Sequence, residues 1–353
     1  MIDMRIRKNP LGTAILLTSI IAWFVACTKS NDGAGPTPMQ LRVPANFPPL
    51  VYDTALNPLT QEGFELGRKL FYDPILSRNN TISCGSCHIQ GSGFTHHGHD
   101  VSHGIDDQLG TRNSLPVVNL AWYRQFFWDG GVFHLDLLPL APIENPVEMD
   151  ESPAAVVEKI RNSSQYTTLF RRAFGDPEIT STRMLKALSQ FMVHCMSANS
   201  RYDSFVRNEG VKLTQDEQEG LLIFQQKCAS CHTTDLFTDQ QFHNIGLLPS
   251  LIDDKGRALI TLNDEDNYKF KTPSLRNVVQ TAPYMHDGRF RTLMAVLDHY
   301  SDGVQDMPTL DRRLRNGNRT GIPLTAPEKN KIIAFLRTLT DDSFLRDPKL
   351  AEQ

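Results

Sequence analysis

The 353-residue sequence lacks several features that would point to common functional classes. It has no block of basic residues and a formal net charge of −4, which makes nucleic acid a poor candidate partner. Few segments alternate between polar and apolar residues, so little β-sheet is expected. Long apolar runs are missing except over residues 11–26, and that run is short for a membrane span. With 40% apolar and 22% charged residues, the composition is that of an ordinary globular protein.

The apolar run has the features of an export signal, because it follows the basic residues of segment 5–8 and ends before Cys27. A small residue directly before a cysteine is typical of bacterial lipoproteins, in which that cysteine carries the lipid. An ordinary signal peptide with a chance cysteine is the alternative. We therefore expect a signal peptide over residues 1–26, a tether over residues 27–45 and a periplasmic location, with Cys27 as the candidate lipid-anchor site.

Cysteine is scarce as well, with six in the chain. If Cys27 is lipidated, an odd number remains, which argues against a disulfide framework. Four of the others form two Cys-x-x-Cys-His segments, at residues 84–88 and 228–232. In this pattern the two thiols attach a c-type haem covalently and the histidine binds its iron. The sequence thus predicts two covalent haems, held by Cys84, Cys87, Cys228 and Cys231, with His88 and His232 as iron ligands.

Zinc and a redox-active dithiol are the alternative interpretations of these segments. Zinc would need four ligands close in space, whereas the two cysteine pairs lie in separate halves of the chain. A redox-active Cys-x-x-Cys does not require histidine after both pairs. The remaining cysteine, Cys195, falls on the apolar side of a predicted helix and is expected to be a buried structural thiol.

The second half of the chain repeats motifs of the first half. The repeated segments are Gly67 to Phe71 and Gly220 to Phe224, residues 111–118 and 272–279, and Phe-Trp-Asp-Gly at 127–130 and Met-His-Asp-Gly at 285–288. We expect a mainly α-helical fold of two cytochrome c-like haem domains in tandem, with long ordered loops and little sheet. The expected domains are residues 46–210 and 211–345.

Capping patterns predict the principal helices. Thr214 and Thr325 each stand three residues before a glutamate, which is the capping-box spacing. Pro153 follows Ser152 at the start of a shorter helix. A longer helix is predicted from Thr180 to about Arg207.

The repeat also bears on the sixth coordination position of each iron. Tyr300 lies 14 residues after His286, whereas the matching position after Trp128 is Pro142, which has no donor atom in its side chain. If this position supplies the distal ligand, Tyr300 occupies the sixth coordination position of the second iron, and that of the first iron is open. Tyr300 as a core aromatic is the alternative, and the competing ligands are Met285, Met294 and Met307.

Together these residues resemble the bacterial dihaem cytochrome c peroxidases and the related MauG enzymes, over about residues 47–340. Besides the two haem motifs, the shared segments are residues 110–113, 127–130, 146–149, 281–288 and 323–325. The resemblance implies that the first haem reacts with peroxide and the second handles electrons. It also implies an electron relay at Trp128, a distal acid at Glu148, an axial ligand at Tyr300, and a calcium ion near Asn113, Thr281 and Pro283.

The chain departs from the family pattern at two places. Leu138 stands where many relatives have glutamine. Where some peroxidases bring a distal histidine to the resting first haem, this chain has Ile105, with His103 two residues earlier as an alternative ligand. Three further histidines at positions 96, 97 and 99 are expected to be solvated or to lie outside the iron coordination.

The resemblance implies a peroxidase that reduces hydrogen peroxide to water with electrons from a small cytochrome c-type donor. One alternative is a MauG-like enzyme that oxidises residues of a partner protein. The other is a dihaem electron carrier without catalysis, against which Pro142 and Glu148 argue. The oligomeric state is left open between monomer and homodimer.

Overall fold

The computed structural model describes residues 35–353. The predicted signal peptide, Cys27 and the first part of the predicted tether lie outside the described residues. Within the described part no helix is both long and apolar enough to cross a bilayer. The expectation of a mainly helical fold with little sheet is confirmed.

Most of the residues in regular structure within residues 35–353 lie in α-helices. They are α1 Gln61–Tyr72, α2 Cys84–Cys87, α3 Leu140–Glu144, α4 Pro153–Arg161, α5 Ser164–Phe174, α6 Ser181–His194, α7 Arg201–Val206, α8 Gln215–Lys227, α9 Ala258–Thr261, α10 Leu293–Asp298, α11 Ala326–Arg337 and α12 Asp342–Leu345. A π-helical turn, His299–Gly303, continues α10, and short 3₁₀ turns connect several loops.

Sheet is limited to two antiparallel pairs of two-residue strands in the described chain. In the first pair, β1 Phe242–His243 lies beside β2 Phe270–Lys271, with Phe242 opposite Lys271. In the second pair, β3 Arg315–Asn316 lies beside β4 Arg319–Thr320.

The two halves of the chain contain the same close crossing of helices. In the first half α1 crosses α6, and a Cβ atom at Gly67 would lie 1.9 Å from the Ala187 carbonyl oxygen. In the second half α8 crosses α11, and a Cβ atom at Gly220 would lie 1.9 Å from the Lys331 carbonyl oxygen. Only glycine fits at either crossing, because the obstacle is backbone rather than a movable side chain.

Aromatic rings pack beside each crossing. The ring centroids of Phe71 and Phe191 are 4.9 Å apart, and those of Phe224 and Phe335 are 5.1 Å apart. Each pair belongs to a separate apolar core, one formed mainly around α1 and α6 and the other around α8 and α11. The repeat in the sequence therefore corresponds to a repeat in packing.

The capping predictions are confirmed at three helices. Thr214 and Thr325 form capping boxes at α8 and α11, and the Ser152 side chain caps α4, which begins at Pro153. In the same way, Thr292 accepts a hydrogen bond from the Ala295 amide at the start of α10. Each of these side chains accepts a hydrogen bond from an amide that has no partner within its own helix.

The prediction of one helix from Thr180 to about Arg207 is wrong, because α6 ends at His194 and α7 begins at Arg201. The carboxylate of Asp341 accepts hydrogen bonds from the amides of Ala198 and Asn199, at 2.9 and 2.8 Å. This long-range partner replaces helical hydrogen bonds in the connecting segment.

The chain end after α11 packs back on the first half. The Tyr72 hydroxyl donates to the Leu350 carbonyl at 2.8 Å, and the side-chain Nε2 atom of Gln90 donates to the Phe344 carbonyl at 3.0 Å. The ring of Phe344 lies 5.5 Å from that of Phe94. The C-terminal segment thus covers the loop that follows the first Cys-x-x-Cys-His motif.

We expect Gly220→Ala to lower the free energy of unfolding by about 1–3 kcal/mol, because the added methyl group collides with the backbone of α11. Gly91→Ala is the matched control, since a Cβ atom there meets nothing within 4 Å. Denaturant titration of the haem-loaded protein measures both. Equal stability of the two variants would contradict this account of the helix crossing.

Candidate haem sites and the cavity between them

The first Cys-x-x-Cys-His motif forms α2 and the residue that follows it. The His88 Nδ1 atom lies 2.8 Å from the Phe94 carbonyl oxygen, so Nδ1 is the donor and Nε2 is left free. Burial lowers the pKa of His88, which favours the neutral imidazole that binds metals. A metal-binding histidine is oriented in this way by a partner for its other nitrogen.

The second motif repeats this geometry. The His232 Nδ1 atom lies 3.1 Å from the Phe237 carbonyl oxygen, and burial lowers the pKa of the imidazole. Cys228, Cys231 and His232 line a largely apolar cavity of about 720 Å³. A cavity of this size with two thiols and one oriented imidazole on its wall fits a covalently attached porphyrin.

Tyr300 lines the same cavity as His232. It lies in the π-helical turn after α10, a feature that often marks functional sites. Burial, with smaller contributions from Cys231 and Cys228, raises the pKa of its phenol. Of the competing methionines, Met285 lines the cavity, whereas Met294 and Met307 are not among its lining residues.

Glu148 lies in the loop after α3, which folds back so that the Met149 amide donates to the Pro142 carbonyl at 3.2 Å. Burial raises the pKa of Glu148, and a 2.9 Å hydrogen bond from Asn145 Nδ2 to its Oε1 opposes that shift. Its charge acts on the thiols of the first motif, since it contributes to the raised pKa of Cys87. The structure thus brings Glu148 near the first haem motif.

The loop that carries His103 packs directly against Glu148. The Ile105 amide donates to the Glu148 carbonyl at 2.7 Å, and a Cβ atom at Gly104 would lie 2.1 Å from the Val147 carbonyl oxygen. The His103 ring itself lies 4.5 Å from the His99 ring, between ring centroids.

Trp128 connects the two halves of the molecule. Its Nε1 donates to the Asn113 carbonyl at 2.9 Å, and the Asn113 amide donates to the His286 carbonyl at 2.7 Å. Trp128 is 8% exposed and lines the cavity that also holds His232. One indole thus contacts the second haem cavity while its hydrogen bond holds a loop of the first half.

The three residues expected near calcium come together at the same cavity, which Asn113, Thr281 and Pro283 all line. The Asn113 Nδ2 atom donates to the carbonyls of His99 and Asp100, at 3.2 and 3.1 Å. The side-chain nitrogen of Asn113 is therefore used by the preceding loop, and its Oδ1 atom is available to a cation.

Sequence reasoning missed the charged groups around the cavity. Arg112 bonds the carboxylates of Asp129 and Asp254, at 2.5 and 2.6 Å. Lys271 is 4% exposed and donates to the Gln125 carbonyl at 2.8 Å, and burial lowers its pKa to about 7. These residues are far apart in sequence and carry no motif, so only the fold associates them.

A second charged group lies beside the second haem motif. The two ring nitrogens of His243 contact the carboxylates of Asp311 and Asp239, at 2.6 and 2.9 Å. The carboxylate of Asp239 and the ring of His243 also lie near Cys231, in the one group of three metal-ligand side chains with closely spaced donor atoms found in residues 35–353. The haem attachment that the sequence predicts at Cys231 would take its thiol out of that group.

Two oriented imidazoles, each next to a pair of thiols, on a mainly helical fold define a c-type protein with two haems. The comparisons identify its family: the chain belongs to the di-haem cytochrome c peroxidases. Residues 61–210 match the family model with that description. Membership of this family implies two haems.

The relatives include both kinds of enzyme suggested by the motifs. The methylamine utilization protein MauG of Methylorubrum extorquens is 34% identical, over 89% of this chain and 88% of that protein. The cytochrome c551 peroxidase of Pseudomonas aeruginosa is 32% identical, over 83% of each chain. The cytochrome c551 peroxidase of Nitrosomonas europaea is also 32% identical, over 82% of this chain and 83% of that protein.

The fold agrees with solved structures. A MauG-like protein associated with microbial copper homeostasis superposes with a TM-score of 0.80 at 34% identity, covering 89% of this chain and 99% of that chain. The diheme peroxidase BthA of Burkholderia thailandensis has a TM-score of 0.70 at 24% identity, covering 88% of this chain and 95% of that one, a likeness that concerns the fold.

Proposed function

We propose that the protein is a dihaem c-type peroxidase, which reduces hydrogen peroxide to water with electrons from a small cytochrome c-type donor. The observation that carries this proposal is an asymmetry between the halves. Tyr300 lines the second haem cavity, whereas the matching position of the first half is Pro142, close to the half-buried Glu148. We assign the two haems to tandem cytochrome c-like domains over residues 46–210 and 211–345.

The residues that would hold the haems fit the group. Cys84 and Cys87 would hold one haem through thioether bonds, and Cys228 and Cys231 would hold the other. His88 and His232 would bind the irons through Nε2, since Nδ1 of each is hydrogen-bonded to a backbone carbonyl. When bound, an iron with an open position supplies the site where peroxide is taken up and its O–O bond is cleaved.

Glu148 moves the proton that this cleavage requires. Its Oε1 accepts from Asn145, so we assign the proton transfer to Oε2. This carboxylate takes a proton from one peroxide oxygen and returns it to the other, which then leaves as water. Burial raises the pKa of Glu148 above its ordinary value, which makes this carboxylate a stronger proton acceptor.

Trp128 provides the path for electrons between the halves in this proposal. Its indole lines the second cavity, and its hydrogen bond to the Asn113 carbonyl orients the ring. Each peroxide consumes two electrons and two protons, and the donor cytochrome delivers the electrons one at a time to the second domain.

The second candidate function is a MauG-like oxidation of residues on a partner protein. The observation that favours it is Tyr300 on the wall of the second haem cavity. If its phenol gave up its proton on binding iron, the resulting phenolate would stabilise oxidised iron better than a thioether does. Trp128 would then draw electrons from the partner rather than from a cytochrome. Turnover with reduced cytochrome c separates the two functions. A dihaem carrier without catalysis is the weakest candidate, since it leaves Glu148, which lies near the first haem motif, without a role.

The export signal at the start of the sequence bears on where the protein acts. We propose a periplasmic location, with the signal peptide over residues 1–26 removed and Cys27 as the site of a lipid anchor. The oligomeric state, monomer or homodimer, is not needed for the proposed chemistry, because each chain carries both haem motifs.

The peroxidase proposal is tested with Glu148→Gln. This change keeps the size and hydrogen bonding of the side chain but removes its exchangeable proton. We expect both haems to remain attached and peroxide turnover with reduced cytochrome c to fall by about 10²-fold or more. Stopped-flow mixing with peroxide should show that the slowed step is the reaction of the enzyme with peroxide, before electrons arrive from the cytochrome.

Glu144→Gln, at an exposed position at the end of α3, is the matched control and should keep the wild-type rate. A Glu148→Gln protein with full haem content and an unchanged rate would overturn the assignment and leave His103 as the candidate distal group.

Ligation by Tyr300 predicts a change in reduction potential. Tyr300→Met should raise the potential of the second haem by about 0.1 V or more, because the neutral thioether stabilises reduced iron relative to a phenolate. Spectroelectrochemical titration measures the shift. Tyr284→Phe is the control, since Tyr284 lines the same cavity but its hydroxyl bonds the Val278 carbonyl. Unchanged potentials in both variants would identify Tyr300 as a packing residue.

We also propose a calcium ion held by the Asn113 side chain and by the carbonyls of Thr281 and Pro283. Oxygen donors from both halves suit Ca²⁺. Removal with EGTA should lower turnover and alter the haem spectra, and Ca²⁺ but not Mg²⁺ should restore both. Full activity and unchanged spectra in a preparation shown by elemental analysis to lack calcium would count against this site.

A further inference from the structure

The segment after α11 returns to the first half of the molecule. We call residues 342–353, which begin with α12, the C-terminal strap. The strap follows the last long helix of the second half, yet its buried side chains Phe344, Leu345 and Leu350 belong to the apolar core around α1 and α6. This placement connects the strap to the region of the first haem motif.

Asp341 fixes the start of the strap. One oxygen of its carboxylate accepts hydrogen bonds from the Phe344 amide at 3.0 Å and from the Ser343 hydroxyl at 2.6 Å. The other oxygen accepts from the amides of Ala198 and Asn199. One side chain thus holds both α12 and the segment between α6 and α7.

The strap binds the loop directly after the first Cys-x-x-Cys-His motif. The Gln90 Nε2 atom donates to the carbonyls of Phe344 and Asp347, at 3.0 and 2.9 Å. The ring of Phe344, which is 3% exposed, lies 5.5 Å from that of Phe94, between ring centroids. Two residues of one loop, Gln90 and Phe94, are therefore held by the strap.

Phe94 depends on such contacts because its backbone conformation is unfavourable. Its φ of +58° lies in the left-handed region, which a bulky side chain rarely adopts. A residue stays in this region only where its surroundings hold it there. The carbonyl of Phe94 is the group that lies 2.8 Å from His88 Nδ1. Support for Phe94 is thus support for the orientation of the first proximal imidazole.

The second haem motif is held differently. The equivalent residue, Phe237, is also left-handed, but its nearest aromatic rings are those of Tyr202 and Phe224, at 5.1 and 5.8 Å. Both of these residues precede the strap in the chain. In the described residues, the ring that Phe344 contacts is that of Phe94. A change in the strap should therefore affect the first site, and the second site provides an internal reference.

We propose that the C-terminal strap is a positioning element of the first haem site, in which Phe344 and Gln90 hold the Phe94 carbonyl on His88 Nδ1. A hydrogen bond at Nδ1 makes the imidazole a stronger electron donor through Nε2. Hydrogen bonding of this kind is one of the means by which a protein sets the potential of a haem. The proposal rests on haem attachment at the first motif, which is part of the proposed function, but not on the reaction with peroxide.

The test uses the protein with both haems attached. Phe344→Ala removes the ring that packs on Phe94, and Gln90→Ala removes two hydrogen bonds to the strap. Each change should raise the reduction potential of the first haem, because a weaker hydrogen bond at His88 stabilises oxidised iron less, and should leave the second potential unchanged. A redox titration followed by EPR measures the two irons separately. Resonance Raman spectra of the reduced protein should show the iron–histidine stretch of the first haem at lower frequency.

Two further variants separate positioning from a general loss of stability. Leu350→Ala is the matched control, because it removes a strap side chain of similar burial, 5% exposed, and should leave both potentials at their wild-type values. Phe344→Leu keeps most of the apolar volume and should shift the first potential less than Phe344→Ala does. The ratio of haem absorbance to protein verifies that both haems are attached in each variant.

Wild-type potentials and an unshifted stretch in both Phe344→Ala and Gln90→Ala would overturn the proposal. An equal shift of both haems, or the same shift in Leu350→Ala, would also contradict it, because the effect would then be a general loosening of the fold. If Phe344→Ala loses haem, Gln90→Ala decides alone, since Gln90 is half-buried and lies outside the apolar core. These measurements require no turnover, so the strap and the proposed peroxidase activity fail separately.

Discussion

The hydrogen bond between each proximal imidazole and a backbone carbonyl is the interaction on which the haem sites depend. His88 and His232 sit beside pairs of cysteines, but a histidine has two nitrogens and can present either one. The carbonyls of Phe94 and Phe237 lie within hydrogen-bonding distance of Nδ1, which leaves Nε2 as the nitrogen available to a metal. Each half uses the backbone carbonyl of a phenylalanine for this contact, so two loops of different sequence form similar sites.

This interaction is useful only if the loops that supply the carbonyls are held in place. The close crossings at Gly67 and Gly220 bring the helix before each motif against the last long helix of its half. Phe94 packs 6.0 Å from Phe71, and Phe237 packs 5.8 Å from Phe224, between ring centroids. The residues that orient the imidazoles are therefore part of the same aromatic cores that stabilise the crossings.

Much of this arrangement follows from the sequence, because its causes are local. Capping boxes and the Cys-x-x-Cys-His spacing involve residues within one or two helical turns. The end of α6 at His194 was missed because its cause, the carboxylate of Asp341, lies far along the chain. The sequence did not predict that the rings of His96, His99 and His103 contact one another or that Lys271 is buried, for a related reason. No local pattern distinguishes a histidine that meets others from one that is solvated, and only the folded loop decides.

The repeat is most informative where the two halves differ. Trp128 and His286 occupy equivalent loops: each follows a residue with a left-handed backbone, and each loop is closed by a single bridge, Phe126 with Val132 and Tyr284 with Phe290. The Trp128 indole donates across to the carbonyl of Asn113, whereas the His286 ring stacks on Phe270 at 3.7 Å. The two loops therefore share a backbone conformation, whereas their side chains make different contacts. Pro142 and Tyr300 also occupy equivalent positions with different side chains, and the proposal that one half takes up the substrate while the other handles electrons rests on that difference.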